Sequence, residues 1–334
     1  MSSHISCAFA VLIGGTFRMK DNSDTLPLLT NPKLPARYRR LPVVDIGAND
    51  GRDYTLPPAL LGHRVYSFEP TAANYDLILR RIASNAPNVT HTTSLSGFAS
   101  AAVGTIYLRR GVAVSNRTGT ALFTETRRAS GVSNSLNGPK ALPRTARRSA
   151  VGTEVQLTTL DAVLHAAGES EGLFLLKIDA QGHVCHACIH MLLPRGCPVR
   201  PHTLLHTRYS TTCTATSCDI TVLPLRYLSD RYLSRRQEYH ILQGARAYIR
   251  AHPVHYILLE YYPKGLRAGG VDPLDLLRLL QHELGYQCFD LRCRPGSRGA
   301  GARTFEQFVR AYPAVTANEF GTWSDLLCTR FDLL

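Results

Sequence analysis

Short apolar runs bounded by Gly, Pro, Asn or Ser recur along the chain and alternate with segments of helical period. Eight runs read as strands: Pro42–Ile46, Arg64–Phe68, Val89–Leu95, Val103–Leu108, Leu173–Ile178, Tyr256–Tyr261, Tyr286–Leu291 and Asp325–Phe331. Between them, Asn74–Ala83 carries Leu77, Ile78 and Ile82 at helical spacing, and Thr159–Ala167 repeats Leu160, Val163 and Leu164 on one face. Pro273–Leu284 follows Asp272, a good N-cap, with proline at its first position and Gly285 as its stop. Strands alternating with helices predict an α/β fold: a doubly wound, mostly parallel sheet with helices on both faces. Two stretches break the pattern. Residues 1–40, with Pro27, Pro32 and Pro35, read as a weakly ordered leader. Residues 41–334 read as one domain, interrupted at 184–237 by a segment of 54 residues with no clean period.

The first strand runs directly into a glycine-punctuated turn, Val43-Val44-Asp45-Ile46-Gly47-Ala48-Asn49-Asp50-Gly51. The second ends in a carboxylate, Phe68-Glu69-Pro70, 24 residues after Asp45. Nucleotide-binding sheets of this kind place a ribose-binding acid about 20 residues beyond the glycine turn. This spacing predicts an adenosine-containing cofactor at the carboxyl ends of the first two strands. Gly47 and Gly51 let the backbone approach the ligand closely. Asn49 tolerates left-handed angles better than most residues. Glu69 is the bidentate acceptor for two ribose hydroxyls, and Asp45 organises the turn or meets a ligand cation through water. Pro57-Pro58 predicts a short helix after the turn, because an interior proline breaks a helix. The turn is not the G-x-G-x-x-G of dinucleotide oxidoreductases, which disfavours a nicotinamide cofactor.

The chain has 334 residues, 44% of them hydrophobic and 19% charged, which suits a globular protein. No apolar stretch is long enough to span a bilayer. Cys7–Phe17 is apolar but short, and its basic residues follow rather than precede it, against a secretory signal. The compartment stays open, with the cytoplasm weakly favoured, and so does the oligomeric state. The net charge of +13 invites a nucleic-acid reading. Nine Lys or Arg face one acid, Glu125, between Leu108 and Ala150. That stretch reads as a basic loop interrupted by short strands, either solvated or favouring an anionic substrate. It lacks the interleaved aromatics that stack bases, so nucleic acid is disfavoured.

The glycine turn, Phe68-Glu69-Pro70, Leu157-Thr158-Thr159-Leu160-Asp161 and Leu176-Lys177-Ile178-Asp179-Ala180-Gln181-Gly182-His183 together resemble the FkbM family of S-adenosylmethionine-dependent methyltransferases. Tyr256-Ile257-Leu258-Leu259-Glu260 and Leu284–Phe289 are similar to its later strands. The resemblance implies the Rossmann-like class I methyltransferase fold, S-adenosyl-L-methionine as cofactor, and O-methyl transfer to a small-molecule or glycan-like acceptor. It implies a cofactor site of Asp45, Gly47, Asn49, Gly51, Glu69 and, in the adenine loop Ser94–Phe98, Ser96. Asp179 and His183 are the catalytic candidates, since an O-methyl acceptor benefits from a general base and His suits neutral pH. Glu260 ends a later strand that can line the same cleft, and Lys177 reads as packing or capping. No metal is implied.

In that family an acid follows Gly-His directly, whereas here Gly182-His183 meets Val184. The expected continuation appears as Glu238-Tyr239-His240-Ile241. Removing Val184–Gln237 restores it in frame. Valine codons begin with GT and one glutamine codon ends in AG, the boundary dinucleotides of a common intron. Residues 184–237 therefore read as translated intron, in which case this form of the chain is inactive or misfolded. The rival is a true insertion. Its five cysteines and four histidines invite zinc, but Cys185-x-x-Cys188 finds no partners at a recognised spacing, and disulfides need an oxidising compartment.

Overall fold

The computed structural model describes residues 38, 40–126, 150–180, 209–214, 217–222, 237–268, 271–290, 302–311 and 324–330. Two compact units divide the chain. The first comprises residues 1–121, 154–180 and 236–334, and the second 122–153 and 181–235.

In the first unit the strands are β1 (Val43–Ile46), β2 (Val65–Phe68), β3 (Thr90–Thr92), β4 (Thr105–Leu108), β5 (Val112–Val114), β8 (Leu173–Ile178), β11 (Val254–Tyr261), β12 (Gln287–Asp290), β13 (Ala302–Arg303) and β14 (Ser324–Thr329). Two further strands, β6 (Gly119–Thr126) and β7 (Ala150–Thr158), have residues in each unit. Nine strands form one mixed sheet in the order β13-β12-β14-β11-β8-β1-β2-β4-β3. Its centre is parallel: β1 lies between β2 and β8, and β11 adds to β8. Beyond β11 the sheet turns antiparallel through β14 and β12. The expected α/β sheet with helices therefore forms.

The helices are α1 (Leu56–Leu60), α2 (Ala72–Asn85), α3 (Leu160–Ala167), α4 (Gln237–Gln243), α5 (Arg246–Ala251), α6 (Pro263–Ala268), α7 (Pro273–Arg278) and α8 (Phe305–Ala311). Alternation along the central strands sends side chains into two separate clusters. Val44, Ile46, Tyr66 and Ile178 pack with Leu160 and Leu164 of α3, Ile241 of α4 and Leu276 of α7. Val43, Val65 and Leu175 pack with Leu56 of α1 and Ile78 and Ile82 of α2. Thr159 caps α3 by accepting from the Ala162 amide, and Asp272 caps α7 by accepting from Leu274. α7 stops at Arg278 and continues as a π-type turn, Leu279–Glu283, before Gly285. α1 holds only five residues because two prolines fill its first turn.

One strand departs from sequence order. β4, not β3, pairs with β2, and β3 lies outside it at the edge. Burial explains the exchange. All four residues of β4 are buried, whereas Thr90-His91-Thr92 offers no apolar side chain to either face. A polar strand of three residues suits an edge.

In the second unit, β9 (Tyr209–Thr214) and β10 (Ser217–Val222) pair antiparallel with Cys213 opposite Cys218. This hairpin lies in the segment where the sequence shows no strand period. The side chains that would ligate zinc there fall outside the described residues, as does the leader before residue 38. No helix among the described residues is long and apolar enough to cross a membrane.

Candidate functional site

β1 ends at Ile46, and the chain crosses the carboxyl end of β8 through Gly47. Gly47 has φ of +77°, and a Cβ there would collide with the Asp179 carbonyl oxygen and lie 2.8 Å from its carbon, so no other residue fits. The Gly47 and Ala48 amides both donate to the Phe68 carbonyl, at 3.0 and 3.2 Å, which ties the turn to the end of β2. Asn49 also takes a left-handed conformation, with φ of +53°. Its amide donates to Glu69 Oε2 at 2.8 Å, and its side-chain oxygen accepts from Asn74 Nδ2 at 3.2 Å. Gly51 closes the turn by donating to the Ala48 carbonyl at 2.8 Å and backs onto Ile78 of α2.

The carboxylates around this turn do different things. Glu69 is buried at the end of β2 and receives one amide on each oxygen, Asn49 on Oε2 at 2.8 Å and Thr71 on Oε1 at 2.9 Å. Burial raises its pKa more than these donors lower it. The Thr71 and Asn74 side chains also hydrogen-bond this carboxylate. Asp45 is buried too, and its partners lie within the protein: Thr55 Oγ1 donates to Oδ2 at 2.6 Å and Lys177 Nζ stands 3.0 Å from Oδ1. It organises the turn from below. Asp179, two residues beyond Lys177, has a side chain 40% exposed, and its Oδ1 finds no hydrogen-bond partner among the described residues.

Register carries the acidic character along the sheet. Ile178 of β8 pairs with Leu259 of β11, so Asp179 and Glu260 follow at the same level, and Glu260 pairs with Asp325 of β14. Glu238, in the first turn of α4, completes the group. Burial pushes Glu260 up to about 9, and the charges of Asp179, Glu238 and Asp325 add to it. Burial pushes Glu238 up to about 8, with Asp179 again adding. Burial therefore favours the neutral form of both side chains, beside the half-buried Asp179.

Ser96 is exposed in the loop after the edge strand β3, and the hydrogen bonds described around Glu69 do not include it. Phe98 of the same loop folds back onto Tyr66, with ring centroids 4.7 Å apart. His183 lies outside the described residues. Thus the structure brings Asp45, Gly47, Asn49, Gly51, Glu69 and Asp179 together, and no described hydrogen bond joins Ser96 to them. Sequence reasoning misses Thr55 and Lys177 as part of the site. Their only sequence signal is a polar residue beside or within an otherwise apolar segment, which usually marks an edge or a turn rather than a buried pair.

Residues 45–183 match the family model described as the methyltransferase FkbM domain. That stretch, 139 of the 334 residues, is similar to the FkbM methyltransferase domain. The chain is an enzyme that transfers methyl groups. The matched FkbM domain opens at Asp45 and closes at His183, enclosing the glycine turn, Glu69, Lys177 and Asp179. No curated protein and no solved structure matches the chain.

Proposed function

We propose that this FkbM domain, on a doubly wound class I methyltransferase sheet, binds S-adenosyl-L-methionine and directs its methyl group to an oxygen of a small-molecule or glycan-like acceptor. The observation that carries the reading is the buried Glu69 carboxylate at the end of β2, tied by the Asn49 and Thr71 amides to a turn only glycine can make. These residues fit the cofactor. Glu69 accepts its ribose hydroxyls, and Gly47, Asn49 and Gly51 give its amino-acid tail close backbone approach. Asp179 Oδ1 is buried and has no hydrogen-bond partner among the described residues, which leaves its acceptor capacity for the remaining polar groups. The bound cofactor supplies an already activated methyl group. What the protein adds is alignment, which contributes much of the rate in such a displacement. Asp179 orients the acceptor hydroxyl and takes its proton, alone or with His183. Neutral Glu238 and Glu260 donate to Asp179 or to the acceptor rather than compete for the proton. The acceptor class itself rests on the family resemblance.

We further propose that residues 184–237 are absent from the working enzyme. Three observations support this: the family match closes one residue before Val184, the first compact unit omits residues 181–235, and Glu238, the acid expected after Gly-His, joins the Asp179 group. Calorimetric titration of S-adenosylmethionine into the full chain, a chain lacking 184–237, and the shortened chain with Glu69→Ala tests both parts. Binding by the shortened chain, lost with Glu69→Ala, is the expected result. Equal binding by full and shortened chains would overturn the intron reading. No binding by either folded chain would overturn the cofactor assignment.

A further inference from the structure

Lys177 is an anomaly on a central strand. Its side chain is 8% exposed, on a strand otherwise filled by apolar residues, and burying an ammonium is costly unless it is fully paired. Its partners are specific. Nζ lies 3.0 Å from Asp45 Oδ1 and donates to the carbonyls of Gly47 at 2.8 Å and Ile46 at 3.4 Å. The Tyr54 ring stands 5.4 Å away. Asp45 in turn holds Thr55, whose hydroxyl pairs with Ser67 Oγ of β2 at 2.9 Å. Burial works against the ammonium, but Asp45 and Asp179 outweigh it and leave its pKa above the ordinary lysine value. The group is thus a permanent cation beneath the turn. A cation holding the Gly47 carbonyl inward fixes the orientation of the peptide that follows. That orientation presents the Ala48 amide to Phe68 and the Asn49 amide to Glu69.

We propose that Lys177 is the positioning residue of the cofactor turn: by clamping the Ile46 and Gly47 carbonyls it sets Asn49 and, through it, the Glu69 carboxylate. The assignment rests on the reading that this turn binds S-adenosylmethionine. Lys177→Met alone strands the Asp45 charge and risks unfolding, so the variant to use is Lys177→Met with Asp45→Asn. Hydrogen exchange followed by mass spectrometry on the full chain reads the turn without any ligand. The expected result is at least tenfold faster exchange at residues 47–49, with residues 254–261 of β11 unchanged. Unchanged exchange at the turn, or equal acceleration at both places, would overturn the proposal, the second because it marks a fold-wide role. In parallel, in the chain lacking residues 184–237, the double variant is expected to bind S-adenosylmethionine at least tenfold more weakly than its parent, and to add little to the loss that Glu69→Gln causes by itself. Fully multiplicative losses would overturn action through Glu69. Local loosening of the turn, with no S-adenosylmethionine bound by the folded chain lacking residues 184–237, would overturn the cofactor reading and leave Lys177 as the anchor of a turn with another ligand.

Discussion

Replacing Gly47 by alanine tests whether the close crossing of the turn over β8 is as tight as the geometry states. Two costs add. An L-residue at φ of +77° pays about 1–2 kcal/mol for the left-handed conformation. The new Cβ would also collide with the Asp179 carbonyl oxygen and stand 2.8 Å from the carbonyl carbon, contacts that real Cβ atoms essentially never make. Since both atoms belong to the backbone, the turn or the end of β8 must shift, and overpacking of this kind adds about 1–3 kcal/mol. Gly97 is the internal control. Its φ is +71° and nothing lies within 4 Å of the place an alanine methyl would take, so Gly97→Ala carries the conformational cost alone. The two variants should differ by about 1–3 kcal/mol, and each kcal/mol shifts the melting temperature by about 2–4 °C in a domain of this size. Thermal unfolding of the two variants, followed by far-UV circular dichroism, measures the gap. Equal destabilisation would refute the crossing. A smaller effect at Gly47 than at Gly97 would refute it more strongly.

The neutral acids predict a pH dependence of stability. Between the ordinary glutamate pKa and about 9 the folded state holds protons on Glu238 and Glu260 that the unfolded state has lost, so stability falls as pH rises through that window. Glu260→Gln should match the parent near pH 4 and exceed it in melting temperature at pH 8–9; a constant difference at all pH values would contradict the assignment. Cys288 and Cys328 pair directly across β12 and β14 and form a disulfide spanning 40 residues, buried on both sides. Loop-closure entropy for that span amounts to about 4 kcal/mol, so the Cys288→Ser/Cys328→Ser variant should melt well below the oxidised parent. Equal melting temperatures would show that the thiols are not joined.

The central sheet was legible because its strands are buried on both faces and bounded by glycine and proline. The pattern marks β8 to the residue, and β1, β2 and β14 to within one or two residues. The order of β3 and β4 was not legible, since both segments are β-branched and their choice of neighbour depends on which one buries more surface against β2. The disulfide was beyond the sequence as well: nothing in the spacing of nine cysteines selects Cys288 and Cys328, which meet only because β12 and β14 are neighbours.

The site divides along the same physical line. Backbone requirements announce themselves in sequence, because only glycine, and next to it asparagine, takes left-handed angles cheaply. Gly47, Asn49 and Gly51 were visible for that reason. Side-chain roles depend on register and partners. Asp45 and Glu69 both stand at strand ends and look alike as letters. Yet a lysine on the neighbouring strand commits Asp45 to the protein interior, while the Asn49 and Thr71 amides tie Glu69 to the turn. Glu238 extends the argument. It stands 59 residues after Asp179 in the chain, yet it lies close enough for the Asp179 charge to raise its pKa. An acid that acts on the site from across an interruption of 54 residues is what a fold assembled from the flanking segments would produce.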